Sequence, residues 1–159
     1  MIISNSTPLI AFARIGAFPL LQRLVKQLVI PTAVAHEIAE YGPEQPGFID
    51  VTQESWITVQ TVQSQQHVQL LLPTLDRGEA EVIALAVEQQ ARLVLIDELT
   101  GRQVAESLGI PITGSVGLLI QAKQRGDILA IRPYIDAMLE QGIRYSQRFI
   151  QQVLRYVDE

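Results

Sequence analysis

The chain contains no cysteine, which excludes disulfides, thiolate-bound zinc and iron–sulfur clusters and fits a reducing compartment. Aromatic residues make up 6% of it, so a core must be built mainly from Leu, Ile, Val and Ala. No apolar run approaches the roughly 20 residues that span a bilayer. The opening, Met1-Ile2-Ile3-Ser4-Asn5, carries no charged leader and reads as structure from its first residue. The expected address is the cytoplasm. Also missing are a GxGxxG fingerprint, a P-loop and a nucleophile elbow. His36-Glu37 does not open an HExxH zinc site, because Glu40 occupies the fourth position. His36 reads as a surface or capping residue.

What is present suits one domain over residues 1–159, with 48% apolar residues to fill a core. The net charge of −5 is unevenly spread. Residues 1–36 hold three bases and no acid, whereas residues 37–122 hold twelve acids against three bases. Ten of the twelve bases are arginine, the side chain suited to bidentate contact with phosphate or carboxylate. Solvated helix faces account for most of these charges; an acidic middle flanked by basic ends also suits a metal-centred cleft that handles nucleic acid.

Apolar periodicity and breakers predict a helix from Thr7 to Gly16, another over 18–27, and a strand at 28–30. Pro31 opens a third helix to about Glu40. Residues 41–54 are rich in Gly and Pro and read as an ordered loop or short element. Residues 56–59 read as an edge strand, followed by a helical turn over 68–72. From Asp76 the punctuation is βα: helix 78–90, strand 92–96, helix 99–108, strand 110–113, helix 115–125. Gly109 and Gly126 stop the last two helices. Two C-terminal helices follow, over 131–139 and 146–156. This alternation implies an α/β chain whose parallel sheet is covered on both faces.

In such a sheet, ligands gather beyond the carboxyl ends of the strands. Asp97 stands there, directly after the apolar run Leu93-Val94-Leu95-Ile96, and Asn5 stands after the first strand. Asp97 also suits the N-cap of the helix starting near Leu99, while Glu98 should point to solvent. Asp76-x-x-Glu79 has capping-box spacing. Glu79 and Glu81 lie about 200° apart on one helix. With Val82, Ile83 and Ala86 fixing the buried side, Glu79 borders the core and Glu81 faces away. Glu37 gains weight only beside the other acids. Ser115, in Thr113-Gly114-Ser115, reads as an ordinary N-cap.

These residues in this order resemble the PIN-domain superfamily, and more narrowly its DUF3368 branch. The stretches that carry the resemblance are 3–10, 30–38, 75–86 and 93–98, then 101–105 with Gly109 and the turn at 113–115. It covers about residues 1–130, leaving 131–159 as C-terminal helices. The resemblance implies a three-layer α/β/α sandwich around a central, mainly parallel sheet. It also implies Mg²⁺- or Mn²⁺-dependent ribonuclease activity, with RNA as substrate, in proteins that are often toxins held by an antitoxin partner and often homodimers. Position by position it implies Asn5, Glu37, Glu79 and Asp97 as the site residues. Asn5, Glu79 and Asp97 would hold the metal, Asn5 as a neutral oxygen, and Glu37 would orient or deprotonate water. Arg14, Arg23 or Arg102 are candidates for holding the phosphate backbone. Asn5 replaces an aspartate, so the alternative is a PIN-like module that binds RNA or a partner and no longer cuts.

Overall fold

The computed structural model describes all residues 1–159. Five short strands form one sheet: β1 (Ile2–Ser4), β2 (Leu28–Pro31), β3 (Ile57–Gln60), β4 (Leu93–Leu95) and β5 (Ile112–Thr113). Every pairing is parallel, and the order is β3-β2-β1-β4-β5. Expectation held that the sheet would be mainly parallel; it is entirely so. Ile2, Ile3 and Ser4 pair with Leu93, Val94 and Leu95, and all of β1 is buried. Apolar runs without alternation are what a sheet covered on both faces requires.

Nine helices flank the sheet and complete the three-layer sandwich. Helices α1 (Ser6–Arg14) and α2 (Phe18–Val25) lead to β2, and α3 (Thr32–Glu40) leads away from it. The 41–54 segment is irregular apart from one 3-10 turn at Val51–Gln53. Strand β3 lies at the sheet edge as its sequence suggests, and Trp56 before it packs against Phe18 with ring centroids 5.2 Å apart. Helices α4 (Gln65–Leu71) and α5 (Arg77–Gln89) return the chain to β4. After it come α6 (Leu99–Ser107), α7 (Ser115–Arg125), α8 (Arg132–Glu140) and α9 (Gln147–Tyr156). Forty buried residues make one contiguous apolar core. No helix is long and apolar enough to cross a membrane.

Two features of this architecture position the site. The chain builds outward from β1 through β2 to β3, then crosses back to lay β4 on the other side of β1. The reversal opens a crevice between the carboxyl ends of β1 and β4, the switch point where such sheets bind ligands. The Asn5 amide extends the ladder by donating to the Leu95 carbonyl at 3.0 Å, which seats Asn5 at that crevice beside Ile96.

The second feature is α5, whose residues 78–86 are all buried. A helix hydrophobic all round lies inside a protein, yet this one carries Glu79 and Glu81 in with it. Glu81 does face away from Glu79, but it is buried rather than solvated. Its Oε1 accepts from the Ala33 amide in the first turn of α3 at 3.1 Å, and its Oε2 pairs with Arg77 at 3.3 Å. Glu81 thus caps α3 from outside that helix. Glu159 does the same for α8, accepting from the Ile131 and Arg132 amides at 2.8 and 3.0 Å and from Lys123 at 3.0 Å. Replacing Glu81 by Ala leaves the α3 amide unsatisfied and should destabilise the protein by about 2 kcal/mol. Urea denaturation checks this, and an unchanged midpoint would mean that the capping contact contributes nothing.

Candidate functional site

At the crevice, Asn5 is the N-cap of α1, a position where an Asn side chain normally accepts a backbone amide of the first turn. Here it makes no such bond. Asn5 is 3% exposed and its Oδ1 has no hydrogen-bond partner. A buried carbonyl oxygen left unpaired costs about 1–3 kcal/mol. Nearby, Ser6 donates from Oγ to Glu37 Oε2 at 2.6 Å, fixing the half-buried Glu37 carboxylate. Asn5 and Glu37 meet over Gly78 in the first turn of α5. A Cβ on Gly78 would lie 2.1 Å from Glu37 Oε1 and 3.4 Å from Asn5 Oδ1, so any larger residue there would displace the Glu37 carboxylate.

Glu79 follows at once. Asp76, the N-cap of α5, accepts its backbone amide at 2.8 Å, as half of the expected capping box. The Glu79 side chain turns inward instead of completing the box: it is 5% exposed and its Oε2 has no partner. It lies against Gly101 in α6, where a Cβ would stand 2.6 Å from that oxygen. Ligand oxygens of Asp76, Glu79 and Glu98 lie within 4.8 Å of one another. Glu98 faces solvent as expected, but it does not turn away from the site. Its carboxylate joins this group and lies 3.5 Å from Thr7 Oγ1. The N-cap of α6 turns the chain at the end of β4, and that turn aims residue 98 back over the crevice.

Asp97 is bound differently. Its Oδ1 accepts from the Ser115 amide and its Oδ2 from Ser115 Oγ, both at 2.6 Å. It caps α7 rather than the helix at Leu99, and the N-cap position of α7 belongs to Gly114, not Ser115. A Cβ on Gly114 would meet Asp97 Oδ1 at 2.6 Å. The half-buried Asp97 keeps further lone pairs and lines a cleft of about 1030 Å³ with Glu98 and Arg102. Arg102 donates to the Ile96 carbonyl at 3.0 Å and makes no ion pair. Arg14, by contrast, is engaged by the Tyr41 hydroxyl, its Nε donating at 2.8 Å. Arg23 lies exposed near the end of α2, just before the start of β2 and so toward the opposite end of the strands from the crevice. His36 is exposed, in line with a surface role.

The electrostatics follow from crowding. Burial, then contact with and repulsion by Asp76, then repulsion by Glu98, push Glu79 up to about 8. Burial also raises Glu37, opposed by the Ser6 hydrogen bond and reinforced by Asp76, Glu98 and Glu40. Tyr145 sits close enough to Asp97 that, after burial, its charge helps raise the phenol above its ordinary range. Acids of one sign, one of them buried with a bare oxygen, form a donor set of oxygens alone. That set fits a hard divalent cation.

A family model described as DUF3368, PIN domain, matches residues 1–159. The chain belongs to that family. A comparison with curated proteins gives no match. The family match takes in α8 and α9, beyond the 130 or so residues on which the resemblance lies. PIN domains generally use divalent metals, and Asp76, Glu79 and Glu98 make an acidic group that could hold one in this PIN domain. Sequence reasoning missed Gly78, Gly101 and Gly114 as site residues. The available signal was glycine at or beside a helix start, where its low helix propensity calls for another reason.

The raised Glu79 has a thermodynamic consequence in metal-free protein. Its value is about 8 folded against an ordinary 4.5, so the folded chain keeps a proton that the unfolded chain releases between those limits. Stability is therefore full below pH 4.5 as far as this group goes, and is lost as pH rises through about 8. The expected loss is roughly 2 kcal/mol from about pH 5 to pH 8. Urea midpoints across that range measure it. Glu79→Gln should flatten the slope, and Mn²⁺ should restore stability at the alkaline end. A slope identical in wild type and Glu79→Gln sinks the assignment.

Proposed function

We propose that this PIN domain is a divalent-metal-dependent ribonuclease that hydrolyses RNA phosphodiesters. The observation that carries the reading is the buried, unpartnered Glu79 oxygen grouped with Asp76 and Glu98. A folded protein keeps such an atom at a cost unless something positive satisfies it. Glu79, with Asp76 and Glu98, would hold Mg²⁺ or Mn²⁺; Asn5 Oδ1 would offer a neutral oxygen, and Asp97 a carboxylate already oriented by Ser115. When bound, the ion neutralises charge on phosphoryl oxygens and lowers the pKa of water.

The remaining work falls to the chain. Glu37, raised by burial and fixed by Ser6, is a stronger base than an ordinary carboxylate and suits removal of a proton from the attacking water. Water attacks phosphorus in line with the leaving ribose oxygen. Arg102 faces the cleft without an acidic partner and suits a non-bridging phosphate oxygen, a sequence-independent contact that salt weakens. The finer reading, carried by the family resemblance, is a cytoplasmic toxin-type homodimer whose cleft an antitoxin protein would cover. Light scattering at micromolar concentration checks the dimer.

Asn5 favours a second reading, a PIN module that binds RNA or a partner and does not cut. The neutral amide removes a full charge where the family pattern has an acid. The two readings diverge in one assay: cleavage of a mixed RNA panel with Mn²⁺. The first expects cleavage by the wild type, reduced at least ~100-fold in Glu79→Gln and Glu37→Gln, a loss of about 2.7 kcal/mol in transition-state stabilisation. If only Asn5→Asp cleaves, the scaffold is a silenced nuclease. RNA binding without cleavage in either protein establishes the binding module.

A further inference from the structure

The cleft that begins at Asp97 and Glu98 does not end at the acids. It runs past Arg102 to a wall made by Ile143, Arg144, Tyr145, Phe149 and Val153 at the start of α9. Tyr145 and Phe149 stand with centroids 5.9 Å apart and planes tilted by 37°. Tyr145 is half-buried and its hydroxyl reaches Met138 Sδ at 3.6 Å, which braces the ring. Phe149 is 40% exposed, a high value for a ring of that size on a cleft wall. The fold does not require it there. Ser146 already caps α9 by accepting the Phe149 amide at 3.1 Å, and Val153 and Leu154 are the residues by which α9 is buried.

The segment that makes this wall is basic and faces Asp97 and Glu98 across the cleft. Residues 144–157 hold Arg144, Arg148 and Arg155 and no acid. Arg144 lines the cleft, and both Arg144 and Arg148 are exposed. Flat rings interleaved with cations are what single-stranded nucleic acid uses: bases stack on aromatic faces while arginines follow the phosphates. A duplex keeps its bases stacked on one another and offers no free face.

We infer that the Tyr145–Phe149 pair is a base-stacking subsite, which with Arg144 and Arg102 holds single-stranded RNA across the cleft and leads its backbone to the acids at the end of β4. The inference rests on RNA being the ligand of the site proposed above. Arg144 and Arg102 line the same cleft as Phe149 and would meet the phosphates of a strand stacked there. Phe149 and Arg144 are then positioning residues that select unpaired RNA and take no part in bond cleavage.

The test is fluorescence anisotropy in EDTA at low salt, where binding is read without cleavage. The probes are a labelled oligouridine, the same length of abasic ribose-phosphate, and an RNA duplex. Phe149→Ala should weaken oligouridine binding about 10-fold, within the range for loss of one stacked base, and leave the abasic chain unchanged. Phe149→Tyr should restore it. Arg144→Ala should weaken both single strands and reduce the salt dependence. An equal effect of Phe149→Ala on base-bearing and abasic chains, or none on either, overturns the inference. So does intact RNA binding with a dimer that falls apart in Phe149→Ala, because the rings would then form a protein contact. Cleavage with Mn²⁺ is scored separately: ring-dependent binding without cleavage sinks the nuclease reading alone, and cleavage without ring dependence sinks the subsite alone.

Discussion

The constraint on which the site depends is that α5 is buried on all sides while carrying two carboxylates in its first turns. Taking an ionised carboxylate out of water is unfavourable by several kcal/mol unless partners replace the lost hydration. Glu81 meets that demand with a backbone amide of α3 and the guanidinium of Arg77. Glu79 does not. It is pressed between Asp76 and Glu98 with one oxygen bare, so in the absence of a cation it keeps its proton. Two acids two residues apart on one helix thus reach opposite solutions, and the difference lies in what each faces. Glu81 looks at the positive end of a helix; Glu79 looks at other acids.

Several other acids follow the same distinction. Asp50, Asp76, Glu81, Glu88, Asp97 and Glu159 each accept at least one backbone amide, and four of them tie together elements far apart in sequence. Helix N-termini carry unsatisfied amides and partial positive charge, so a carboxylate there stabilises the fold whether or not it acts on a ligand. Glu37, Glu79 and Glu98 accept no backbone amide. Their charge is left for something else, and they meet at one crevice. Asp76 and Asp97 do both: each caps a helix and also reaches the crevice, and Ser115 holds Asp97 rigidly, as a ligand of the proposed site would need.

The strands and their order of appearance are legible because each carries a short, largely apolar run, and the crevice follows from the strand-end rule. Asn5 and Asp97 were found in that way. Glu81 was misjudged because a periodic reading assumes one buried face, and nothing within residues 77–89 says that α3 and α4 cover the other. Glu98 is exposed, as its sequence suggests, but the turn at the α6 N-cap also brings its carboxylate to the other acids, which no local pattern reveals. Ser115 looked like a cap because its own carboxylate partner lies 18 positions earlier, and no local pattern connects them. Gly78, Gly101 and Gly114 carry no local sign of their role, which is to be the gap through which an acid from another element approaches the backbone. Such contacts are long-range, and single-sequence patterns carry only local information.

Asn5 makes physical sense once the crowding is seen. A carboxylate in its place would stand beside Glu37 over Gly78, which directly precedes a Glu79 that already stays mostly protonated at neutral pH. In a poorly solvated crevice each added like charge raises the free energy of the metal-free fold, since Coulomb interactions there are screened far less than in water. A neutral amide relieves that repulsion and still presents an oxygen acceptor. The same exchange weakens the field that draws a cation in, because attraction and repulsion both scale with the charge removed. In the proposed metal site the amide would thus give up part of the attraction for a cation in return for less repulsion without one. Its unpartnered Oδ1 marks how incomplete the trade is, for the amide itself remains unsatisfied until the crevice is filled.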